Sequence, residues 1–144
     1  MQSTGVSTLD TSVQKTNIWL KEVMEEIGSD DRRRAYLALR STLQTLRDRL
    51  TVEEATDLGA QLPMLVRGFY YEGWNPSGKP VKFGKDDFLS SVGEHFVGEP
   101  GIDGEKIAQA VFKVLDRHIT DGEIEDVKAI LPRDLQEFWE SLRS

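Results

Sequence analysis

The sequence repeats itself at a fixed interval, and the two copies align without a gap. Thr51 falls on Thr120, Glu54 on Glu123, Asp57 on Asp126, Leu62-Pro63 on Leu131-Pro132, and Trp19-Leu20 on Phe88-Leu89. An internal repeat constrains the architecture more strongly than any local pattern, because similar units bury their apolar faces against each other. The repeat therefore predicts two tandem units of the same structure, although it names no reaction.

Four segments follow from this alignment. We predict a flexible N-terminal tail over residues 1–10, a first repeat over 11–75, a connector over 76–84 and a second repeat over 85–144. A chain of 144 residues buries roughly 70% of its unfolded surface as one domain, whereas each half alone would be marginal. We therefore expect the two repeats to pack into one compact bundle.

The spacing of apolar residues predicts helices in both repeats. Apolar side chains recur at three- and four-residue intervals at Tyr36, Leu39, Leu43, Leu46 and Leu50, and in the second copy at Ala108, Phe112, Leu115 and Ile119. This spacing gives one apolar stripe along a helix. Sustained period-two alternation, the pattern of a strand, is absent. The fold class is therefore all-α, with about four helices in each repeat.

Local signals fix several helix ends. Thr51 and Thr120 are each followed three residues later by glutamate, the pattern in which a hydroxyl and a carboxylate satisfy the free amides of a helix start. Pro63 and Pro132 interrupt each repeat, because proline lacks an amide donor and restricts the residue before it. The predicted helices span residues 12–27, 30–49, 52–62, 63–72, 85–97, 103–118, 121–131 and 132–142.

Composition excludes several classes of protein. Cysteine is absent, which removes disulfides, thiolate nucleophiles and Cys-based metal sites. No run approaches the roughly 20 apolar residues of a membrane span, and the first residues lack the basic and apolar parts of a secretory signal. We therefore expect a cytoplasmic protein without membrane contact.

Charge argues against nucleic acid as the partner. The net charge of −7 opposes an affinity built on neutralised phosphates. The one basic concentration, Arg32-Arg33-Arg34, fans across more than one helical face, since consecutive residues are turned by about 100°. Asp30 and Asp31 offset it locally. A solvated, salt-bridged surface is the favoured interpretation of these arginines, with an anion or nucleic-acid contact as the alternative.

Motifs in the middle of the chain resemble a known family. Between Leu43 and Trp74 the chain reads Leu-Arg-Asp-Arg-Leu, Glu-Glu-Ala, Leu-Gly-Ala-Gln-Leu-Pro and Tyr-Tyr-Glu-Gly-Trp. These motifs are similar to those of the bacterial domain-of-unknown-function family 2267, and the segment Gly122–Val127 with Leu131-Pro132 resembles that family's second half. The resemblance implies a small helical bacterial protein. It carries over no activity and no catalytic residue.

Groups that could support catalysis or bind a cofactor are few. His95 and His118 belong to no His-x-x-x-His or Glu-x-x-His pair that would place two ligands on one helical face, and His118 is interpreted as a side chain at a helix end. No phosphate-binding glycine motif occurs. A calcium loop around Gly122 fails, because Arg117, Ile119 and Lys128 would occupy ligand positions. We predict no metal and no cofactor.

Two groups of carboxylates are interpreted as solvated faces. They are Glu22, Glu25 and Glu26 on the first predicted helix, and Glu123, Glu125 and Asp126 on the seventh. Clustered charges on amphipathic helices are usually exposed. A metal or an acid–base pair would need carboxylates that converge across helices in a partly buried site, and their spacing shows no such burial.

The joint between the copies combines large aromatics with Gly and Pro. Its candidate contact residues for a partner are Tyr70, Tyr71, Trp74, Lys79 and Lys82. The favoured interpretation packs the aromatics across the seam between the repeats, and the alternative exposes them as a contact surface, where Tyr and Trp are enriched.

The last helix of the first repeat is also unusually apolar. It begins Met64-Leu65-Val66, whereas the second copy begins Arg133-Asp134-Leu135. A helix that is apolar on nearly all sides is buried inside the fold or against a partner. Together these features favour a non-enzymatic protein-interaction or regulatory module with a protein partner of unknown identity and unknown oligomeric state. The alternative is a small-ligand-binding protein, or an unrecognised enzyme, that uses the cleft between the repeats.

Overall fold

The computed structural model describes residues 3–96, 99 and 103–143, and this part of the chain contains helices and no strand. The elements are α1 Ser7–Ile27, α2 Arg32–Arg49, α3 Val52–Ala60, α4 Met64–Tyr71, α5 Lys85–Gly93, a 3-10 helix Glu94–Phe96, α6 Gly104–His118, α7 Asp121–Ile130 and α8 Arg133–Glu140. The predicted all-α class is confirmed. None of the helices in the described ranges combines the length and apolar character needed to cross a bilayer.

Most helix ends lie within two residues of the predicted positions. The capping residues and prolines that predicted these ends are found at the helix boundaries. The Thr51 hydroxyl accepts a hydrogen bond from the Glu54 amide at 3.2 Å, and the Thr120 hydroxyl accepts one from the Glu123 amide at 3.3 Å. The bounds of α4 and α8 also follow the repeat, since Met64 aligns with Arg133 and Tyr71 with Glu140. We call two residues that the alignment of the copies pairs with each other counterparts.

The start of α1 differs from the prediction. The helix begins at Ser7, five residues before the predicted start and inside the segment expected to be a flexible tail. The Asp10 carboxylate accepts hydrogen bonds from the Thr4 amide at 2.8 Å and from the Ser3 hydroxyl at 2.7 Å. These bonds tie the residues before the helix to its first turns, and they also lower the pKa of Asp10.

The core is one continuous cluster drawn from both halves of the chain. Helix α2 contacts α1, α4, α5 and α6, so its buried side chains lie between the first half and the second. In the second half, the ring of Phe112 stacks on that of Trp139 with centroids 4.0 Å apart and planes 8° apart. Because the apolar faces of both halves meet in one cluster, the helices form a single bundle.

Two further contacts join the halves. Helices α3 and α7 pack together, and beside them the Gln61 side-chain amide donates to the Thr120 hydroxyl at 3.1 Å while its oxygen accepts from the Thr120 amide at 3.0 Å. The connector returns along the end of α2, where the Val81 amide donates to the Asp48 carbonyl at 2.9 Å. The Arg49 Nε atom donates to the Phe83 carbonyl at 3.0 Å.

Candidate functional site

Tyr70, the first of the predicted contact residues, is completely buried. Its hydroxyl donates a hydrogen bond to the Ala55 carbonyl at 2.6 Å, and burial raises the pKa of its phenol above the ordinary value. The Arg47 guanidinium donates to the Tyr70 carbonyl at 2.7 Å. Tyr70 therefore holds α4 against α3 and presents no surface to a partner.

Tyr71 and Trp74 continue this aromatic group and are half-buried. Their ring centroids are 5.4 Å apart, and Tyr71 meets the edge of Tyr70 at 4.9 Å. A Cβ atom added to Gly59 of α3 would lie 2.7 Å from the Tyr71 Cζ atom, so the aromatic group packs closely on α3 within the first half. The Trp74 indole nitrogen is buried and has no hydrogen-bond partner among the described residues.

The two predicted lysines differ in exposure. Lys79 has a side chain that is 14% exposed and lies 4.0 Å from the Asp48 carboxylate, whereas Lys82 is exposed. Of the five predicted contact residues, Tyr71, Trp74 and Lys82 therefore keep surface that a partner can reach. Sequence reasoning placed all five in one joint, but it had no signal for which side of α4 faces α3.

A separate groove lies between α1 and the turn that joins α3 to α4. We call it the α1–α4 groove, and it contains two adjoining cavities of about 550 Å³ and about 340 Å³ that share Lys15, Gln61 and Pro63. Met64 lines the larger cavity and Ile18 the smaller. Ile18, Met64 and the neighbouring Leu65 are 52%, 44% and 45% exposed. Large apolar side chains thus remain in contact with water along one edge of the bundle.

The counterparts of these side chains are charged. Ile18 corresponds to Asp87, Met64 to Arg133 and Leu65 to Asp134, and the three counterparts are exposed. Because α4 and α8 have matching bounds, the second half shows that a charged residue is tolerated at the helix positions equivalent to Met64 and Leu65. Helix formation and core packing therefore do not explain why the first half keeps apolar residues there.

A carboxylate cluster lies where α3 meets α7. Oxygen atoms of Glu54, Glu123 and Asp126 all lie within 4.8 Å of one another. Asp126 is exposed, Glu54 is half-buried, and Glu123 is only 8% exposed. The pKa of Glu123 is raised to about 8, mainly by burial. The facing carboxylate of Glu54 and the charges of Asp57 and Asp126 also raise it.

The solvated interpretation of this carboxylate group is therefore wrong for Glu123, although Glu125 and Asp126 are exposed as predicted. Sequence reasoning treated each helix alone and missed the partner helix. The repeat itself carried the signal, because Glu54 and Asp57 fall on Glu123 and Asp126. A pair of equivalent helices that pack on each other brings equivalent carboxylates together.

A family model described as an uncharacterized conserved protein (DUF2267) matches residues 16–138. This chain belongs to the DUF2267 family. The match covers most of the chain and confirms the resemblance found in the sequence motifs. A search of curated proteins finds no match. Membership in DUF2267 identifies no reaction, so a function for this chain depends on the arrangement of its own residues.

One histidine of this DUF2267 protein joins α6 to α1. The His118 Nε2 atom lies 2.8 Å from the Glu22 carboxylate, and the imidazole stacks on Trp19 with centroids 4.7 Å apart. Arg117 pairs with Glu22 at 3.1 Å and also with Glu26. Burial opposes ionisation of Glu22, but hydrogen bonds from His118 and Arg117 outweigh it and lower the pKa of this carboxyl. Glu22 and Glu26 are thus ion-paired between helices and only partly exposed, so the solvated interpretation of that group holds for Glu25 alone.

The other histidine approaches a serine that the sequence did not single out. The Ser41 hydroxyl lies 3.0 Å from the His95 Nδ1 atom, the arrangement by which a base activates a serine nucleophile. However, Ser41 is only 1% exposed, and its hydroxyl donates to the Val92 carbonyl at 3.0 Å. This pair therefore joins α2 to α5 and to the 3-10 helix that follows α5.

Proposed function

We propose that this DUF2267 protein is a bacterial, cytoplasmic and non-enzymatic protein-interaction module whose partner binds the α1–α4 groove. The observation that carries the proposal is the exposure of Ile18, Met64 and Leu65 at positions whose counterparts are charged. Apolar side chains that the fold does not need, grouped at the edge of a groove, are typical of a surface that a partner covers.

Burial of these side chains would supply a useful part of a binding free energy. Full burial of one such side chain contributes roughly 1.5–3 kcal/mol, and three half-exposed side chains retain about half of that each. The groove gives a partner a concave surface, which favours the close packing found at binding hot spots. These features support an apolar segment of another protein as the occupant.

Tyr71, Trp74 and Lys82 form a second candidate contact for the same partner or for a regulator. They keep partial or full exposure, and a tyrosine beside a tryptophan suits an interface because both combine a large apolar body with a polar tip. Lys79 contributes less, since its side chain is mostly buried near Asp48.

Small-ligand binding remains the second candidate function. The smaller cavity of the groove is lined by first-half residues and by His118 of the second half, so it lies between the halves, as that hypothesis requires. Its volume of about 340 Å³ is at the lower end of the range for ligand pockets. A metabolite screen by thermal shift tests this alternative, because a ligand that binds the native state raises the melting temperature.

The interaction proposal is tested with substitutions taken from the second half. We compare wild type with the double variant Met64→Arg/Leu65→Asp, and with Val52→Asp as the matched control. Val52 is also an exposed apolar residue whose counterpart is an aspartate, but it lines neither cavity. A photo-crosslinking amino acid at Met64, which lines the larger cavity, then identifies what touches the groove in cells of the native host.

We expect one partner to cross-link at Met64, to be retained by Val52→Asp and to be lost by the double variant. Equal retention by all three proteins would exclude the groove as the contact surface. A parallel Tyr71→Ala/Trp74→Ala variant, checked for normal helicity, reports whether the aromatic group contributes.

A further inference from the structure

The carboxylates between α3 and α7 lack the partners that buried charges require. Glu123 is more than nine-tenths buried, and its Oε2 atom has no hydrogen-bond partner among the described residues. The Oε2 atom of Glu54 is in the same condition. A buried polar atom without a partner destabilises the folded state, and more strongly when it is charged. Such atoms indicate a missing neighbour.

Two buried basic side chains of α2 and α7 are engaged with groups outside this cluster. Lys128 of α7 pairs with Glu125 at 3.6 Å and with Glu140. Arg47 of α2 pairs with Asp48 at 3.0 Å and donates to the Tyr70 and Glu72 carbonyls. Asp57 and Asp126 add further negative charge that acts on Glu123. The described residues therefore bring several carboxylates together without supplying a cation.

The geometry suits one small, hard cation. Carboxylate oxygens prefer Ca²⁺, Mg²⁺ and Mn²⁺ among biological metals. Ca²⁺–oxygen distances are about 2.3–2.6 Å, so two oxygens on opposite sides of one ion are roughly 5 Å apart. The oxygens of Glu54, Glu123 and Asp126 all lie within 4.8 Å of one another, so one ion can reach all three. The exposed Asp126 leaves room for water to complete the shell.

We propose that Glu54, Glu123 and Asp126 bind one divalent cation of the Ca²⁺, Mg²⁺ and Mn²⁺ class at the junction of α3 and α7. Two of the ligands are counterparts, Glu54 and Glu123, and they come from the two halves of the chain. The ion therefore links the halves and stabilises the packing of α3 on α7. This site is independent of the α1–α4 groove and of the partner proposed there.

The proposal is tested with the full chain, freed of metal by EDTA and dialysed. MnCl₂, CaCl₂ and MgCl₂ are titrated separately at pH 9 by isothermal calorimetry, and Mn²⁺ binding is also followed by electron paramagnetic resonance. The variants are Glu123→Gln and Glu54→Gln. The matched control is Glu53→Gln, which removes the same charge from an exposed neighbour on the same helix.

We expect saturable binding of one ion by wild type and by Glu53→Gln, with affinity weakened roughly tenfold or more in either site variant, since affinity follows the number of ligand charges. Mn²⁺ should broaden the amide signals of α3 and α7 before those of other helices. Equal binding in all variants would place the ion elsewhere on this acidic surface. Absence of saturable binding by wild type would overturn the proposal and leave a shared proton as the occupant.

A third site variant separates loss of metal binding from loss of the fold. Asp126→Asn changes an exposed side chain, so the protein should fold normally and still lose affinity. Retention of wild-type affinity by a folded Asp126→Asn protein would contradict the three-ligand site.

Discussion

Glu54 and Glu123 hold carboxylate oxygens within 4.8 Å of each other, although they belong to different halves of the chain. Each follows a threonine N-cap at the start of its helix. The pair thus arises because α3 and α7 pack on each other. Carboxylates at this distance resist simultaneous ionisation, which makes the stability of the metal-free protein depend on pH.

We predict that Glu123 makes the metal-free protein less stable as pH rises from about 4.5 to about 8. The folded protein holds the Glu123 proton up to a pKa of about 8, whereas the unfolded chain releases it near the ordinary glutamate pKa of 4.5. Between these values the folded state binds more protons, so the free energy of unfolding falls with pH and levels off above the upper value. The groups that face Glu123 are Glu54 and Asp57 on α3 and Asp126 on α7.

Urea unfolding in EDTA at pH 4, 6 and 9 measures this effect. Relative to wild type, the free energy of unfolding of Glu123→Gln should rise by up to about 5 kcal/mol between pH 4 and pH 9, because the amide carries no charge to bury. Glu53→Gln is the control and should follow the wild-type profile. A constant difference between Glu123→Gln and wild type across this range would contradict the assignment.

The double variant Met64→Arg/Leu65→Asp should keep its stability. Both side chains are about 45% exposed, and the counterparts in α8 are already Arg133 and Asp134. Exposed substitutions usually change the free energy of unfolding by less than about 0.5 kcal/mol. Thermal and urea unfolding give the measurement. A loss of several kcal/mol would mean that these residues serve the fold, and it would remove the main support for the groove as an interaction surface.

Gly104→Ala should destabilise the protein by about 1–3 kcal/mol, in the range of overpacked sites. A Cβ atom at this position would lie 2.8 Å from the Leu89 carbonyl carbon and 3.0 Å from the Gly93 amide nitrogen, and backbone atoms cannot move aside cheaply. Gly122→Ala in α7 is the control, since nothing lies within 4 Å of its added Cβ. It should stabilise by up to about 1 kcal/mol through helix propensity. Similar urea midpoints for the two variants would show that α5 and α6 approach less closely than described.

Tyr70→Phe should cost about 1–2 kcal/mol, because it leaves the buried Ala55 carbonyl without the 2.6 Å hydrogen bond that it accepts from this hydroxyl. Tyr71→Phe changes a half-buried ring on the same helix, and we expect less than about 0.5 kcal/mol from it. Comparison of the two variants by urea unfolding separates the hydrogen bond from general aromatic packing. The reverse order of stabilities would argue against the described orientation of α4.

The sequence predicted those parts of the fold that depend on neighbours along the chain. Thr51, Thr120, Pro63 and Pro132 act on residues within one helical turn, so the ends of α3, α4, α7 and α8 were predicted closely. The early start of α1 also has a local cause in the bonds between Thr4 and Asp10, but residues 1–10 carry no apolar periodicity that would have indicated a helix.

The candidate sites depend on contacts between distant segments, which local patterns do not encode. The burial of Glu123 requires the packing of α3 on α7, and the burial of Tyr70 requires that α4 turn this ring toward Ala55. Only the internal repeat held information about the burial of Glu123, because it aligned Glu54 with Glu123. Prediction of the α1–α4 groove would have required two facts together, which are the apolar start of α4 and the position of α4 beside α1.

The connector holds the two halves close to each other. Val81 donates to the Asp48 carbonyl and Phe83 accepts from Arg49, so the chain turns back along α2 before the second half begins. Short linkers give effective concentrations on the order of millimolar, and this anchored one restricts the second half further. If the two halves were separate chains, the proximity of Glu54 and Glu123 would disfavour their association. Covalent linkage instead lets the protein maintain two facing carboxylates between its halves, so that a proton or a metal ion can control an interface that never dissociates.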